Sequence, residues 1–346
     1  MNKMKFIRGK FKEQERRLTN YIKETNKEMY DDLFYTKNCA IAGGAITSVF
    51  TNSMINDYDI YFPMNTEEIS NTIKQNKIKK LCKRCRFYDG SNPLDIINII
   101  SNVKPWTVDG MFKNCVGDGS GPSDVYKCTY WQYKEDNSLG CIMMDKINEI
   151  RNQKVDSNDY TAFTTELTKN YGHNITDIFT DSDFASTYTT DGGLRIQAIK
   201  LYGEKNIEEI LSEFDFTVCM GAYLPYSGEF VLAEDFLLHN ASKKLEFNYN
   251  TDYPIASLIR SLKYTKDKGY TISGLNVLKI AMAIQRLNLE TVDDFRKHVA
   301  GIDATILYSF MNELKGNKTE YDTDNMINMI SAYLDKNEWA ENFVNN

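Results

Sequence analysis

Between residues 41 and 62 the chain runs Ile41-Ala42-Gly43-Gly44-Ala45-Ile46-Thr47-Ser48 and, after a short gap, Asp57-Tyr58-Asp59-Ile60-Tyr61-Phe62. Few folds satisfy both halves at once. The second half is a strand pattern, in which residues two apart project from the same face. Asp57 and Asp59 therefore point one way, while Tyr58, Ile60 and Phe62 point the other way, into a core. Carboxylates held side by side repel one another, and a cation between them relieves that repulsion. The glycine pair opens a helix close by and offers bare backbone N–H groups to an anion such as phosphate. Metal plus phosphate is the chemistry implied.

A third acid carries the same signature. In Phe214-Asp215-Phe216-Thr217-Val218-Cys219-Met220-Gly221-Ala222 the alternation predicts a strand, with Phe214, Phe216, Val218 and Met220 facing a core and Asp215 on the opposite face. Three carboxylates on neighbouring strands can hold two divalent cations roughly 3.5–4 Å apart. One cation lowers the pKa of an attacking hydroxyl, and the other neutralises a triphosphate and its leaving pyrophosphate. Mg²⁺ (or Mn²⁺) suits such a site, because it keeps several waters and binds few protein carboxylates plus substrate phosphates.

Elsewhere the pattern is uneven. Residues 10–34 predict a basic helix, 38–42 a strand, 45–50 a helix and 66–81 a second basic helix. Residues 87–185 show no lasting periodicity and read as a large insertion. Apolar runs on either side of Asp191-Gly192-Gly193 predict a hairpin, and Asn206 with Glu209 predicts a capping box. After about residue 236 every signal is helical, including Pro254–Gly269, 303–315 and 323–343. These boundaries divide the chain into an N-terminal basic helix (1–35), a core with the insertion (36–235) and a helical C-terminal domain (236–346).

The charge of −7 is uneven as well. Residues 1–30 hold nine Lys/Arg and four Glu, and residues 74–86 hold seven bases and no acid. Two basic segments on an acidic body, Lys3–Arg17 and Lys74–Arg86, suit a nucleic-acid backbone, whose neutralisation drives sequence-independent binding. Hydrophobic content of 42% with no apolar run approaching membrane-spanning length predicts a soluble, globular protein without a membrane partner. No secretory signal opens the chain, and the seven cysteines are odd in number and irregularly spaced. They read as reduced thiols of a cytoplasmic protein.

Ala42-Gly43-Gly44, Ser48 and Asp57-Tyr58-Asp59-Ile60, with the later Asp215, resemble the signature of the polymerase-β-like nucleotidyltransferase superfamily. The segments around 214–219 and 254–270 look like nucleotidyltransferases encoded by bacteriophages, for which a host cytoplasm is the setting. The resemblance implies an α+β fold, with a short mixed sheet backed by helices and an all-helical domain after it. It also implies that Gly43, Gly44 and Ser48 hold the β- and γ-phosphates, and that Asp57, Asp59 and Asp215 are catalytic and hold two metal ions.

Independently of the family, Ile255, Leu258, Ile259 and Leu262 cluster on one face of the 254–269 helix. Arg260 and Lys263 fall opposite, placed to reach a triphosphate or an acceptor backbone. The expected activity is transfer of a nucleoside monophosphate from an NTP to an acceptor hydroxyl, with RNA or a tRNA 3′ end favoured by the basic segments. Nucleotidylation of a protein or small molecule is the alternative within that chemistry. A non-catalytic nucleic-acid-binding or structural protein on the same scaffold is the alternative outside it. Cys82-x-x-Cys85 lacks a second close pair for zinc, the three histidines lie far apart, and Gly117–Gly121 has no strand–helix frame for a dinucleotide.

Overall fold

The computed structural model describes residues 4–83, 131–133, 139–141, 149–150, 152, 159–171, 175–181, 185–190, 192–202, 204–291, 294–295 and 298. In chain order these form β1 (Phe6–Gly9), α1 (Lys12–Met29), a π-helical turn (Tyr30–Phe34), β2 (Ala40–Ala42), α2 (Gly44–Phe50), β3 (Tyr58–Tyr61) and α3 (Glu67–Lys83). Then come β4 (Trp131–Tyr133), β5 (Leu139–Cys141), α4 (Asp159–Tyr171), β6 (Ile175–Asp181), β7 (Ala185–Thr190), β8 (Arg195–Ile199) and α5 (Ile207–Leu211). A 3₁₀ turn (Thr217–Cys219) leads to β9 (Gly221–Leu224), β10 (Glu229–Ala233), α6 (Phe236–Ala241), β11 (Lys244–Leu245), α7 (Pro254–Lys268), β12 (Thr271–Ile272) and α8 (Gly274–Gln285).

Eight strands make one mixed sheet in the order β1-β10-β9-β2-β3-β8-β7-β6. Every pairing in it is antiparallel except β3 with β8. The α+β class expected from the sequence is the class observed. Alternation explains how the sheet is clothed. In β2, Ile41 joins a core with Leu18, Ile22, Ile46, Tyr58 and Ile60, while Ala40 and Ala42 join a second core with Ile73, Ile207 and Leu211. Helices α1, α2 and α4 thus cover one face, and α3 and α5 the other. Tyr58 is almost fully buried, and its hydroxyl donates to the Leu18 carbonyl at 3.1 Å, satisfying the one polar atom that would otherwise be costly inside. A third core joins Phe216, Val218, Phe247, Tyr264, Tyr270 and Ile280 beneath α7 and α8.

The close approach of the first core to β9 depends on a missing side chain. A Cβ on Gly221 would lie 2.8 Å from Ile46 Cγ2, 2.9 Å from Phe236 Cε2 and 3.0 Å from Leu232 Cδ2. Gly221→Ala is expected to lower stability by about 1–3 kcal/mol through overpacking, measured as a fall in the urea midpoint. An unchanged midpoint would mean that β9 can move away from α2.

Several expectations meet the structure directly. The 10–34 helix is α1 with its π-helical end, and β7–β8 is the expected hairpin. The Asn206 side chain accepts from the Glu208 and Glu209 amides, and Glu209 Oε2 accepts from the Asn206 amide at 2.8 Å, completing the capping box. Two expectations are corrected. Residues 214–220 are not a strand but a bend and a 3₁₀ turn, with β9 beginning only at Gly221. Pairing there is reduced to one isolated antiparallel bridge of Phe216 with Phe247, in which the Asn248 amide donates to Asp215 O at 2.7 Å. Side chains take two of the other carbonyls: Asn248 Nδ2 donates to Phe214 O at 2.7 Å, and Thr47 Oγ1 and Asn240 Nδ2 donate to Val218 O at 2.7 and 3.1 Å. Nor is the chain purely helical after residue 236, because β11 and β12 pair in parallel there. The expected helices at 303–315 and 323–343, Asp191, His173, Gly117–Gly121 and Cys85, Cys115 and Cys128 lie outside the described residues.

Candidate active site

Gly43 ends β2 in a conformation (φ 75°, ψ −131°) that side chains strongly disfavour, and its amide donates to Gly221 O at 3.0 Å. That turn aims the start of α2 across the neighbouring strand, where the register pairs Ala42 with Asp59. A Cβ at Gly43 would sit 3.6 Å from Asp59 Oδ2 and 3.6 Å from Phe214 Cε2, whereas at Gly44 it would meet nothing within 4 Å. The carboxylate therefore lies against the glycine turn, and Gly44 presents open backbone. Ser48 lies one helical turn further on and is buried.

Asp215 follows Phe214 and enters the same cleft from the other side. It is 4% exposed, and its Oδ2 accepts from Arg260 Nη1 at 2.8 Å. Burial works to strip Arg260 of its charge, but attraction and hydrogen bonding to Asp215 outweigh it and raise the guanidinium pKa. Tyr61 ties the pieces together. Burial raises the pKa of its phenol, and both Asp59 and Asp215 raise it further while Arg260 opposes them. Asp57 lies just before β3 and is half-buried. Burial lowers the pKa of Lys268 at the end of α7, and Asp57 is among the groups that counter this. Asp59 and Asp215 thus both act on Tyr61, and Asp57 acts on Lys268 at the end of α7.

Among the described residues no group of three or more His, Cys, Asp or Glu is placed to hold a metal. Asp215 is paired with Arg260 across 2.8 Å.

The orientation expected for α7 is reversed. Ser257, Ser261 and Tyr264 are buried, while Leu258 and Leu262 are 37% and 53% exposed. The small serines let the helix approach the 214–219 segment, with Tyr264 Oη 3.0 Å from Cys219 Sγ. Arg260 turns into the cleft and Lys263 is exposed. Of the basic segments, Arg8 bonds Glu208 at 3.2 Å, Arg16 bonds Glu13 at 2.7 Å and Arg17 donates to Val49 O at 3.0 Å, while Lys80 pairs with Asp32. These four cations are engaged within the protein.

Three aromatic residues escaped the sequence reading. Phe214 and Tyr61 have ring centroids 5.6 Å apart, and Tyr61 and Tyr202 6.2 Å. Tyr61 had a signal, being two residues beyond Asp59 on the same strand face. Tyr202 had none. Its φ is 76°, and burial, then Tyr253, push its phenol up to about 12.

A model of the Gad2 family, the Gabija anti-defense 2 proteins, matches residues 10–243. The chain belongs to that family. A relative described as "Gabija anti-defense 2", from Bacillus phage SPbetaL7, is 40% identical over 109 residues, which are 32% of this chain and 27% of the relative. Among solved structures, the Thermotoga maritima CCA-adding enzyme complexed with tRNA is similar at a TM-score of 0.39 and 10% identity. That match covers 94% of this chain and 54% of the enzyme. A CCA-adding enzyme with ATP gives 0.40 and 11%, with the same coverages. The chain thus spans about half of the enzymes it is similar to, and scores of this size mark loose superpositions. Among the described residues no helix is long and apolar enough to cross a membrane.

Proposed function

We propose that the protein is a metal-dependent nucleotidyltransferase that moves a nucleoside monophosphate from an NTP to an acceptor hydroxyl and releases pyrophosphate. The observation that carries this reading is the Asp59 carboxylate lying 3.6 Å from the side-chain position left empty at Gly43, beside open backbone at Gly44. Gly43 and Gly44 would receive the triphosphate, and Asp57 and Asp59 would hold Mg²⁺ or Mn²⁺. When bound, the metal supplies charge neutralisation on the phosphates and acidifies the acceptor hydroxyl. Arg260, its plane fixed by Asp215, contributes a permanent positive charge to the cleft. Lys263, exposed one turn further along α7, suits the backbone of an acceptor strand. RNA, including tRNA, is the acceptor this reading favours, and a protein or small molecule is the alternative. The counter-defence setting carried by the family name is where such a transfer would act.

The Asp215–Arg260 pair also favours a second reading, a nucleic-acid-binding protein on a scaffold that no longer catalyses. Calorimetry with Mg²⁺ and each NTP separates the two, followed by labelled NTPs with RNA, tRNA and protein pools. Metal-dependent NTP binding and a labelled acceptor are expected. Salt-sensitive RNA binding without any NTP binding would leave the second reading in place.

A further inference from the structure

We propose that Tyr202 is a base-stacking residue, receiving the flat nucleobase of the triphosphate whose phosphates lie at Gly43 and Gly44. The inference rests on the NTP site above and assigns its far end. A left-handed φ crowds the Cβ of any L-residue against its own carbonyl, and a bulky aromatic residue is seldom found there. The turn itself does not need one. It is closed by the Lys205 amide donating to Tyr202 O at 2.9 Å and anchored by the Met64 amide donating to Lys205 O at 2.8 Å. Glycine or asparagine serves such a turn without crowding, and the next residue along, Gly203, is a glycine. Keeping a phenol in this conformation calls for a task of its own, and strained backbone concentrates where ligands are gripped.

The placement says which task. Phe214, beside Gly43 and Asp59, begins a row of rings that passes through Tyr61 to Tyr202. Arg260 acts electrostatically on both tyrosines. Asp59 and the open backbone of Gly44 thus lie at one end of this row and the Tyr202 ring at the other. A nucleoside triphosphate has the matching polarity, anionic at one end and a planar ring at the other. Lys205 Nζ lies 5.2 Å above the Tyr202 ring and is also paired with Glu213. An entering base would take its position over the ring, leaving the ammonium on Glu213.

The test compares Mg²⁺-ATP with Mg²⁺-tripolyphosphate, which lacks the base, by calorimetry on the whole protein. Tyr202→Gly is expected to weaken ATP about tenfold, as loss of one base–aromatic stack does, and to leave tripolyphosphate within about twofold. Tyr202→Leu, which keeps the bulk, should repeat that pattern, and Tyr202→Phe should keep wild-type affinity for both. Equal losses for ATP and tripolyphosphate, or no loss for either, would overturn the stacking role. So would a wild-type protein that binds the two probes equally. Wild-type protein that binds neither would show instead that the NTP site itself is misassigned, and the stacking role would fall with it.

Discussion

Asp215→Ala is expected to be the most damaging single change to stability outside the large apolar side chains. It leaves the Arg260 guanidinium in a partly dry cleft with its counter-ion gone, and arginine cannot escape by losing its proton. Breaking one partner out of a buried ion pair costs about 3–5 kcal/mol. Arg260 keeps 33% of its side-chain exposure, so water recovers part of the loss and the lower end, about 3 kcal/mol, is expected. On a chain of 346 residues, at about 2.1 cal/mol/K of unfolding entropy per residue, that is a fall in melting temperature of roughly 4 °C. The double variant Asp215→Leu with Arg260→Met removes both charges and should recover most of it, because an apolar pair of similar volume serves a buried site about as well. If Asp215→Ala melts with the wild type, the pair is not holding α7 against the 214–219 segment.

The second large effect is on chemistry. Asp59→Ala is expected to reduce transfer of label from an NTP by about 10³-fold or more, since it removes several kcal/mol of metal-based charge stabilisation. Stability should change little or rise slightly, because the residue is half-buried and its neighbour Asp57 carries like charge. That split, an intact fold with the reaction lost, separates a ligand from a structural acid. Equal labelling by wild type and Asp59→Ala would remove the carboxylate from the site altogether.

What the sequence revealed and what it hid follow from the range of the forces involved. The Gly43-Gly44 turn, the facing of Asp59 against Tyr58 and Ile60, and the Asn206–Glu209 cap are set within a few residues, and all three were legible. Asp215 was legible as an acid of the same cleft, but its backbone was not. Period-two alternation at 214–220 is indistinguishable from a strand until Thr47, Asn240 and Asn248, distant in the chain, take the Phe214 and Val218 carbonyls and leave a single bridge at Phe216. The face of α7 misled for a related reason. A helical wheel ranks leucines above serines, yet close approach to Cys219 and Asp215 selects the small residues, and Leu258 and Leu262 turn outward. β1 was missed because a strand of four residues at a sheet edge leaves almost no periodic trace.

The one parallel junction in the large sheet, between β3 and β8, ties the strand of Asp59 to a segment far along the chain. The chain departs after Tyr61 and comes back to that strand's flank at Arg195, with Asp59 registered against Gln197. Between those two points the described chain supplies α3, α4, β6 and β7, whose Ile73, Phe163, Leu167 and Tyr188 are buried in the two cores. A substitution that breaks the β3–β8 pairing would therefore displace Asp59 together with the β8–β7–β6 wing of the sheet.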